Sequence, residues 1–162
     1  MAYEPSLAVA RFLLSTVGET WLDRAAQVTN ATTSELAVVS YLRRHLSPDQ
    51  TAAVIEQVQL RTHAAARFEH AERMLFTAAG LQQTTHPFVA RHRARRFSER
   101  PLVADLGCGI AGDSVALAEA AETLLAVERD AVRLLFARHN AGVHRLSDRV
   151  RRHPRRRGCF DL

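Results

Sequence analysis

A glycine-rich stretch, VADLGCGIAGD at residues 103–113, follows a run of apolar residues and contains the residue types best suited to binding a ligand. Glycines in such a turn let the backbone take positive φ and let a ligand approach closely, and the helix that follows offers free N–H groups. Gly107, Gly109 and Gly112 fit the G-x-G-x-x-G spacing of dinucleotide-binding turns. Glu128 ends the next apolar run 21 residues after Gly107, where a carboxylate can hold ribose hydroxyls. The pattern indicates a nucleoside-bearing cofactor.

Asp105 distinguishes between two kinds of cofactor. The pyrophosphate of a dinucleotide is anionic, and a carboxylate two residues before the first glycine would repel it. S-adenosyl-L-methionine (SAM) carries a cationic amino group and a sulfonium, which the same carboxylate would attract. SAM is therefore the predicted cofactor, with a dinucleotide and a purely structural turn as the alternatives. The predicted cofactor-binding residues are Asp105, Gly107, Cys108, Gly109, Gly112, Glu128 and Arg129.

The elements that would position these residues alternate between strand and helix. The runs LVADL and TLLAVE have the length and composition of buried strands, and DSVALAEAA and DAVRLLFARHNAGV those of helices. Strand, turn, helix, strand and helix in this order are typical of a parallel sheet with right-handed crossovers. The predicted fold is α/β, with an N-terminal helical domain (residues 1–98) followed by a partial Rossmann-like parallel sheet (residues 99–150).

Capping signals divide the helical domain. Thr32 and Glu35 have the spacing of a capping box, and so do Ser47 and Gln50, with Pro48 at the first helical position.

Two further helices are predicted after these. The pattern ARFEHAERMLFTAAG at residues 66–80 indicates a helix that ends at Gly80. The stretch TTHPFVARHRARRF indicates another that begins at Thr85 or His86. Between them, Gln82, Gln83 and Thr84 are candidate polar contacts for a ligand, and Phe76 is expected to lie over the same site.

The positive charge is confined to two blocks. All 22 basic residues are arginine, and the net charge is +5 for residues 61–100 and +4 for residues 151–162. In the first block, Arg91, Arg93, Arg95 and Arg96 indicate either a surface for an RNA substrate or a solvated helix face.

The second block, RRHPRRRGCFDL, has three interpretations: a phosphate-binding tail, a solvated end, or an out-of-frame reading of a longer gene. If Arg155 to Arg157 use CGN codons, a one-base shift encodes only Val, Ala, Gly, Asp or Glu. Such residues would suit a strand that ends in an acid.

The stretches VADLGCGIAGDSVALA and LLAVERDAVRLLFARHNA resemble the first β-α-β-α unit of class I SAM-dependent methyltransferases. The stretch before them is similar to a bacterial subgroup that often carries a THUMP-like C-terminal domain, and the resemblance covers roughly residues 55–148. It implies that Asp105, Gly107 and Gly109 line the methionine end of SAM and that Glu128 holds its ribose. Ala111 stands where many members of the subgroup have glycine.

The resemblance implies a third strand that begins near Arg149 and Val150 and ends in an acid, but residues 149–162 read RVRRHPRRRGCFDL instead. The chain also departs from this family at the acceptor site. Amino-directed members hold the acceptor with an Asn/Asp-Pro-Pro-aromatic loop, and this sequence contains no Pro-Pro pair. The resemblance implies methyl transfer to a nitrogen of an RNA nucleobase, and we expect weak SAM binding and no turnover from this chain alone. The catalytic residues and the oligomeric state are not predicted. The alternative is a non-catalytic module that binds SAM or nucleic acid.

The composition limits which cellular compartment and which metal cofactors are expected. Two cysteines are too few for a disulfide framework, and their spacing, like that of the eight histidines, fits no metal site. The chain has no long apolar run and no secretory signal pattern at its start, so a cytoplasmic protein without a membrane span or a metal is expected.

Overall fold

The computed structural model describes residues 3–31, 34–146 and 159–161. Within these residues, none of the helices combines the length and the apolar character that crossing a bilayer requires. The architecture is a helix-rich α/β fold. In chain order its elements are α1 (Leu7–Leu13), α2 (Thr16–Ala31), α3 (Glu35–Leu42), α4 (Pro48–Ala64), α5 (Ala78–Gln83), α6 (Pro87–Ala94) with a 3-10 turn at Arg95–Phe97, β1 (Val103–Leu106), α7 (Gly112–Ala120), β2 (Leu124–Val127), α8 (Ala131–Val143) and β3 (Cys159–Asp161).

Two of the predicted helix starts are confirmed. The Ser47 side chain accepts a hydrogen bond from the backbone N–H of Gln50, and the Gln50 side chain accepts one from the backbone N–H of Ser47, which completes the capping box of α4. Helix α6 has His86 as its N-cap and Pro87 in its first turn. In both cases the start of the helix is set by local backbone bonding.

The predicted capping box of α3 is not the one that forms. Ser34 is the N-cap and accepts from the backbone N–H of Ala37, so Glu35 is the first helical residue rather than the third. Thr32 lies outside the described residues.

The predicted helix over residues 66–80 is wrong. Helix α4 ends at Ala64, residues 65–73 consist mostly of turns, residues 74–77 belong to no helix or strand, and Gly80 lies inside α5 instead of ending a helix. Phe68, Ala71 and Met74 are nevertheless buried. Their apolar spacing therefore reflects burial in an irregular segment rather than one face of a helix.

Contacts distant in sequence hold residues 75 and 76 outside any helix. The Gln57 side chain donates to the Phe76 carbonyl (2.6 Å) and accepts from the Phe76 N–H (2.9 Å). The Asn140 side chain accepts from the Leu75 N–H (2.8 Å) and donates to the Leu75 carbonyl (2.9 Å). Two buried amides thus replace the intrahelical bonds that Leu75 and Phe76 would have made, as buried backbone groups require.

The sheet contains one parallel pair. Strands β1 and β2 pair in parallel, with Val103 opposite Leu124, and α7 connects them. Strand β3 lies on the other side of β2 and is antiparallel to it. The expected α/β organisation with a helical front is confirmed, while extension to a Rossmann-like sheet stays a prediction. The strand expected near Arg149 and Val150, and the tail up to residue 158, lie outside the described residues.

The core continues from the helical region into the α/β unit. Phe136 of α8 is fully buried in the cluster formed by α1 to α4, and Leu75 belongs to the same cluster. Ile110, in the turn after β1, packs with Phe76 and Leu81 in another cluster. Residues on both sides of the predicted division after residue 98 therefore pack together, and the division itself stays a prediction.

The bonds of Asn140 give a stability prediction. Replacement of Asn140 by Ala leaves three buried backbone groups unpaired, since the amide also donates to the Ile110 carbonyl at 3.0 Å. The free energy of unfolding should fall by about 3–5 kcal/mol, as measured by urea denaturation. Arg138→Ala, at an exposed position of the same helix, should change it by less than about 0.5 kcal/mol. A similar small change for both variants would contradict this account of the segment.

Candidate functional site

The glycine turn after β1 has the backbone conformation that its sequence predicts. Gly107 and Gly109 have φ of +85° and +58°, values that side chains disfavour. The N–H groups of Gly107 and Cys108 donate to the Val127 carbonyl at 2.7 and 3.0 Å, which ties the turn to the end of β2. A Cβ added at Gly107 or Gly109 would meet no atom within 4 Å. The two glycines therefore face open space that a ligand can occupy.

Ala111 also has positive φ, +72°, and is fully buried. Glycine would take this conformation with less strain. This is the position where the resembling subgroup often has glycine, and the backbone explains that preference.

Glu128 lies directly against the turn. It is buried, and its carboxylate accepts from the N–H of Gly109 (3.1 Å) and of Asp130 (3.0 Å). These bonds use two of the roughly four lone-pair positions of a carboxylate. The remaining positions are free to accept hydroxyl donors, as the ribose of a nucleoside would supply.

The opposite wall of the cleft comes from α5 and the residues that follow it. Gln83, Thr84 and Thr85 face the turn across the cleft, and the Thr85 hydroxyl donates to Asp113 Oδ2 of α7 at 2.7 Å. A Cβ on Gly112 would lie 2.1 Å from Thr84 Cγ2, so this wall can approach α7 because residue 112 is glycine. The residues that line the cleft are Gly80, Gln83, Thr84, Thr85, Gly107, Cys108, Gly109, Ile110, Gly112, Asp113, Glu128 and Arg133.

Five of the seven predicted cofactor-binding residues line this cleft: Gly107, Cys108, Gly109, Gly112 and Glu128. The other two, Asp105 and Arg129, are not among the lining residues, and Arg129 is exposed. Gln83 and Thr84 line the cleft as expected, but Gln82 does not. Phe76 is fully buried in the core rather than lying over the site.

Asp105 lies beside the first turn of α7. Its Oδ2 accepts a 2.6 Å hydrogen bond from the Ser114 hydroxyl. Burial raises the pKa of the Asp105 carboxyl above its ordinary value; the bond from Ser114 lowers this pKa and the charge of Asp113 raises it further. The carboxyl is therefore less readily ionised than an exposed aspartate, and its effect on a bound cation depends on pH.

Cys108 is a poor nucleophile in this environment. Burial raises the pKa of its thiol to about 12, and the charges of Asp105 and Glu128 add to the effect. The thiolate is the reactive form of cysteine, so this side chain contributes shape rather than reactivity at neutral pH.

Sequence reasoning missed Arg133. This residue is the third of α8, it lines the cleft with Glu128, and its Nε is buried without a hydrogen-bond partner among the described residues. The signal in the sequence was a basic residue in the first turn of the helix that follows Glu128.

Among the described residues no group of His, Cys, Asp and Glu side chains is arranged to hold a metal ion.

Comparisons with known proteins concern different parts of the chain. A family model described as a domain of unknown function, DUF8688, matches residues 6–64, which end with α4. Two Mycobacterium tuberculosis proteins, from strains CDC 1551 / Oshkosh and H37Rv, are each 39% identical to this chain over 98 residues. Both are named uncharacterized S-adenosylmethionine-dependent methyltransferases. The match covers 57% of this chain but 27% of each relative, so the chain spans a minor part of their length.

The fold has a counterpart among solved structures. A crystal structure from Porphyromonas gingivalis W83, described as that of a candidate methyltransferase, superposes with a TM-score of 0.58 at 19% identity. The superposition covers 88% of this chain and 33% of that protein, and it shows a shared fold. The names of the sequence relatives and the description of the structural neighbour both contain the word methyltransferase, and what the neighbour shows for this chain is the fold.

The environment of Asp105 gives a pH-dependent prediction. Its folded-state pKa lies above the value of about 3.9 in an unfolded chain. Its contribution to stability is therefore complete below that value and is lost as pH rises through the folded-state pKa. Asp105→Asn keeps an acceptor for Ser114 without the charge and should raise Tm by about 1–3 °C at pH 7.5. The gain should vanish near pH 4, as measured by calorimetry.

The matched control is Asp23→Asn, at an exposed position of α2, which should leave Tm unchanged at both pH values. A lower Tm for Asp105→Asn at pH 7.5 would show that the ionised carboxylate stabilises the fold, contrary to this prediction.

Proposed function

We propose that this chain forms the cofactor-binding part of a SAM-dependent methyltransferase. The observation that carries the proposal is the open, left-handed turn at Gly107 and Gly109 with the Glu128 carboxylate bonded to it. The names of the M. tuberculosis relatives and the fold shared with the P. gingivalis protein support the same class.

The residues of the cleft fit SAM in chemical type. Glu128 would accept hydrogen bonds from the ribose hydroxyls through its unused lone pairs, and the bare backbone at Gly107 and Gly109 would admit the methionine part of SAM at close range. Asp105 is not among the residues that line the cleft. From its place beside the first turn of α7, its carboxylate would attract the cationic groups of SAM electrostatically. SAM supplies a methyl group activated by its sulfonium, while the protein supplies position and electrostatics.

Binding measurements test this proposal. Isothermal titration calorimetry should show that the wild-type chain binds SAM and S-adenosylhomocysteine in preference to NAD. Glu128→Gln should weaken SAM binding about 10-fold or more, because one ribose acceptor is replaced by a donor. Glu122→Gln makes the same chemical change at an exposed position after α7 and should leave the affinity unchanged. Tighter binding of NAD than of SAM would support the dinucleotide alternative instead.

We further propose that the substrate is RNA, methylated at a nucleobase nitrogen. Helix α6 packs its buried Ala90 and Ala94 against Ala116 of α7, the helix that begins at the cleft. Its outer face and the 3-10 turn after it expose four arginines and two aromatic rings: Arg91, Arg93, Arg95, Arg96, Phe88 and Phe97. Exposed cations interleaved with aromatic rings are the pattern that binds single-stranded nucleic acid. Arg91 Nη2 also lies 3.8 Å from Glu69 Oε1. This ion pair is exposed and contributes little to stability, so it does not prevent Arg91 from binding a phosphate.

Salt dependence tests the RNA proposal. The logarithm of the association constant for single-stranded RNA should fall with the logarithm of the salt concentration. Changing Arg91, Arg93, Arg95 and Arg96 to Gln should reduce the magnitude of this slope by about 2–3. Changing Arg11, Arg24, Arg43 and Arg44 to Gln removes the same charge from exposed positions in α1, in α2 and directly after α3 and should have a smaller effect. Equal slopes for the two variants would mean that the α6 arginines form a solvated face only.

The chain alone is proposed to bind SAM weakly and not to complete the transfer, with the acceptor held by residues that it lacks. The alternative is a non-catalytic module, supported by the exposed arginines of α6. Measuring RNA affinity with and without SAM distinguishes the methyltransferase from the binding module. A methyltransferase should bind RNA more tightly in the presence of SAM, and Glu128→Gln should abolish this increase. A binding module should have an RNA affinity that neither SAM nor Glu128→Gln changes.

A further inference from the structure

Arg133 combines a position in the cleft with an unpaired donor. It extends from the first turn of α8 and lines the cleft together with Gly109 and Glu128. Its Nε is buried and has no hydrogen-bond partner among the described residues. Leaving a buried donor of a charged group unpaired is costly, so such a group points to a ligand that completes its bonding.

Neither acid of the cleft, Glu128 or Asp113, forms an ion pair with Arg133 among the described residues. Glu128 accepts from the N–H groups of Gly109 and Asp130, and Asp113 accepts from the Thr85 hydroxyl. The ion pairs found among the described residues do not include Arg133. Its guanidinium is therefore not neutralised by a protein carboxylate within the described part of the chain.

A ligand group that binds the Arg133 guanidinium should be an anion. Among the described residues that line the cleft, Arg133 is the only one with a positive charge. SAM has a single anionic group, the carboxylate of its amino-acid part. A guanidinium matches a carboxylate in planar geometry and can donate two parallel N–H bonds to it.

We propose that Arg133 binds the carboxylate of the cofactor and makes the cleft selective for ligands with an intact amino-acid part. The inference rests on the proposed function, because it takes SAM as the ligand. It assigns to α8 a contact that the sequence pattern of the glycine turn does not contain.

Wild-type protein provides the first test. Calorimetric titration should give SAM an affinity at least 10-fold higher than that of decarboxylated SAM, which differs only in lacking the carboxylate. Affinities within twofold of each other would overturn the proposal, and this comparison depends on no variant being folded. If wild-type protein binds neither compound, the proposed function itself fails.

Variants of Arg133 provide the second test. Arg133→Met keeps the apolar stem and should weaken SAM binding about 10-fold while changing the affinity for decarboxylated SAM by less than twofold. Arg133→Lys should fall between wild type and Arg133→Met for SAM, since it keeps the charge without the planar fork. Arg138→Met, on the exposed side of α8, is the matched control and should leave both affinities unchanged.

Other results would overturn the assignment. An equal loss for both ligands in Arg133→Met would show that the arginine shapes the cleft or contacts the adenosine, and the proposed function would still stand. NAD binding that is tighter than SAM binding and is lost in Arg133→Met would show that the anion is a pyrophosphate, which would contradict both proposals.

Discussion

Two buried amide side chains fix the geometry on which the cleft depends. Gln57 and Asn140 bond all four backbone groups of Leu75 and Phe76, and Asn140 also donates to the Ile110 carbonyl in the glycine turn. The segment that leads into α5 and the turn that leads into α7 are therefore joined through one side chain. Since these two parts of the chain lead into opposite walls of the cleft, the Asn140 side chain links the two walls.

Close packing on either side of that connection leaves little freedom. A Cβ on Gly80 would lie 2.7 Å from Ile110 Cγ2, and one on Gly112 would meet Thr84. The bare positions at Gly107 and Gly109, by contrast, have empty space beside them. Glycine thus serves two purposes here: at residues 80 and 112 it lets protein walls approach each other, and at residues 107 and 109 it leaves room for something that is not protein. Ala111, in the same turn, also has positive φ and is fully buried.

The elements that the sequence predicted correctly are those whose formation depends on residues close together in the chain. The capping box of α4, the start of α6, the parallel strands and the glycine turn all follow from residues within a few positions of each other. The helix expected over residues 66–80 failed because partners 19 and 65 residues away bond Phe76 and Leu75, and apolar spacing cannot register such contacts. For the same reason Gly107, Gly109 and Glu128 were found at the site from spacing, whereas Arg133 was not: its importance lies in a missing bond, which only the arrangement of its neighbours reveals.

Helix α8 connects these features through one of its faces. Arg133, Phe136 and Asn140 are separated by three and four residues, so they lie on the same side of the helix. Phe136 is buried among α1 to α4, and Asn140 bonds the segment before α5. With two points of the helix held in this way, its first turn cannot rotate without breaking buried contacts. The position of Arg133 in the cleft is therefore set by the helical region, and the cofactor chemistry proposed for the α/β unit depends on the packing of residues in α1 to α4.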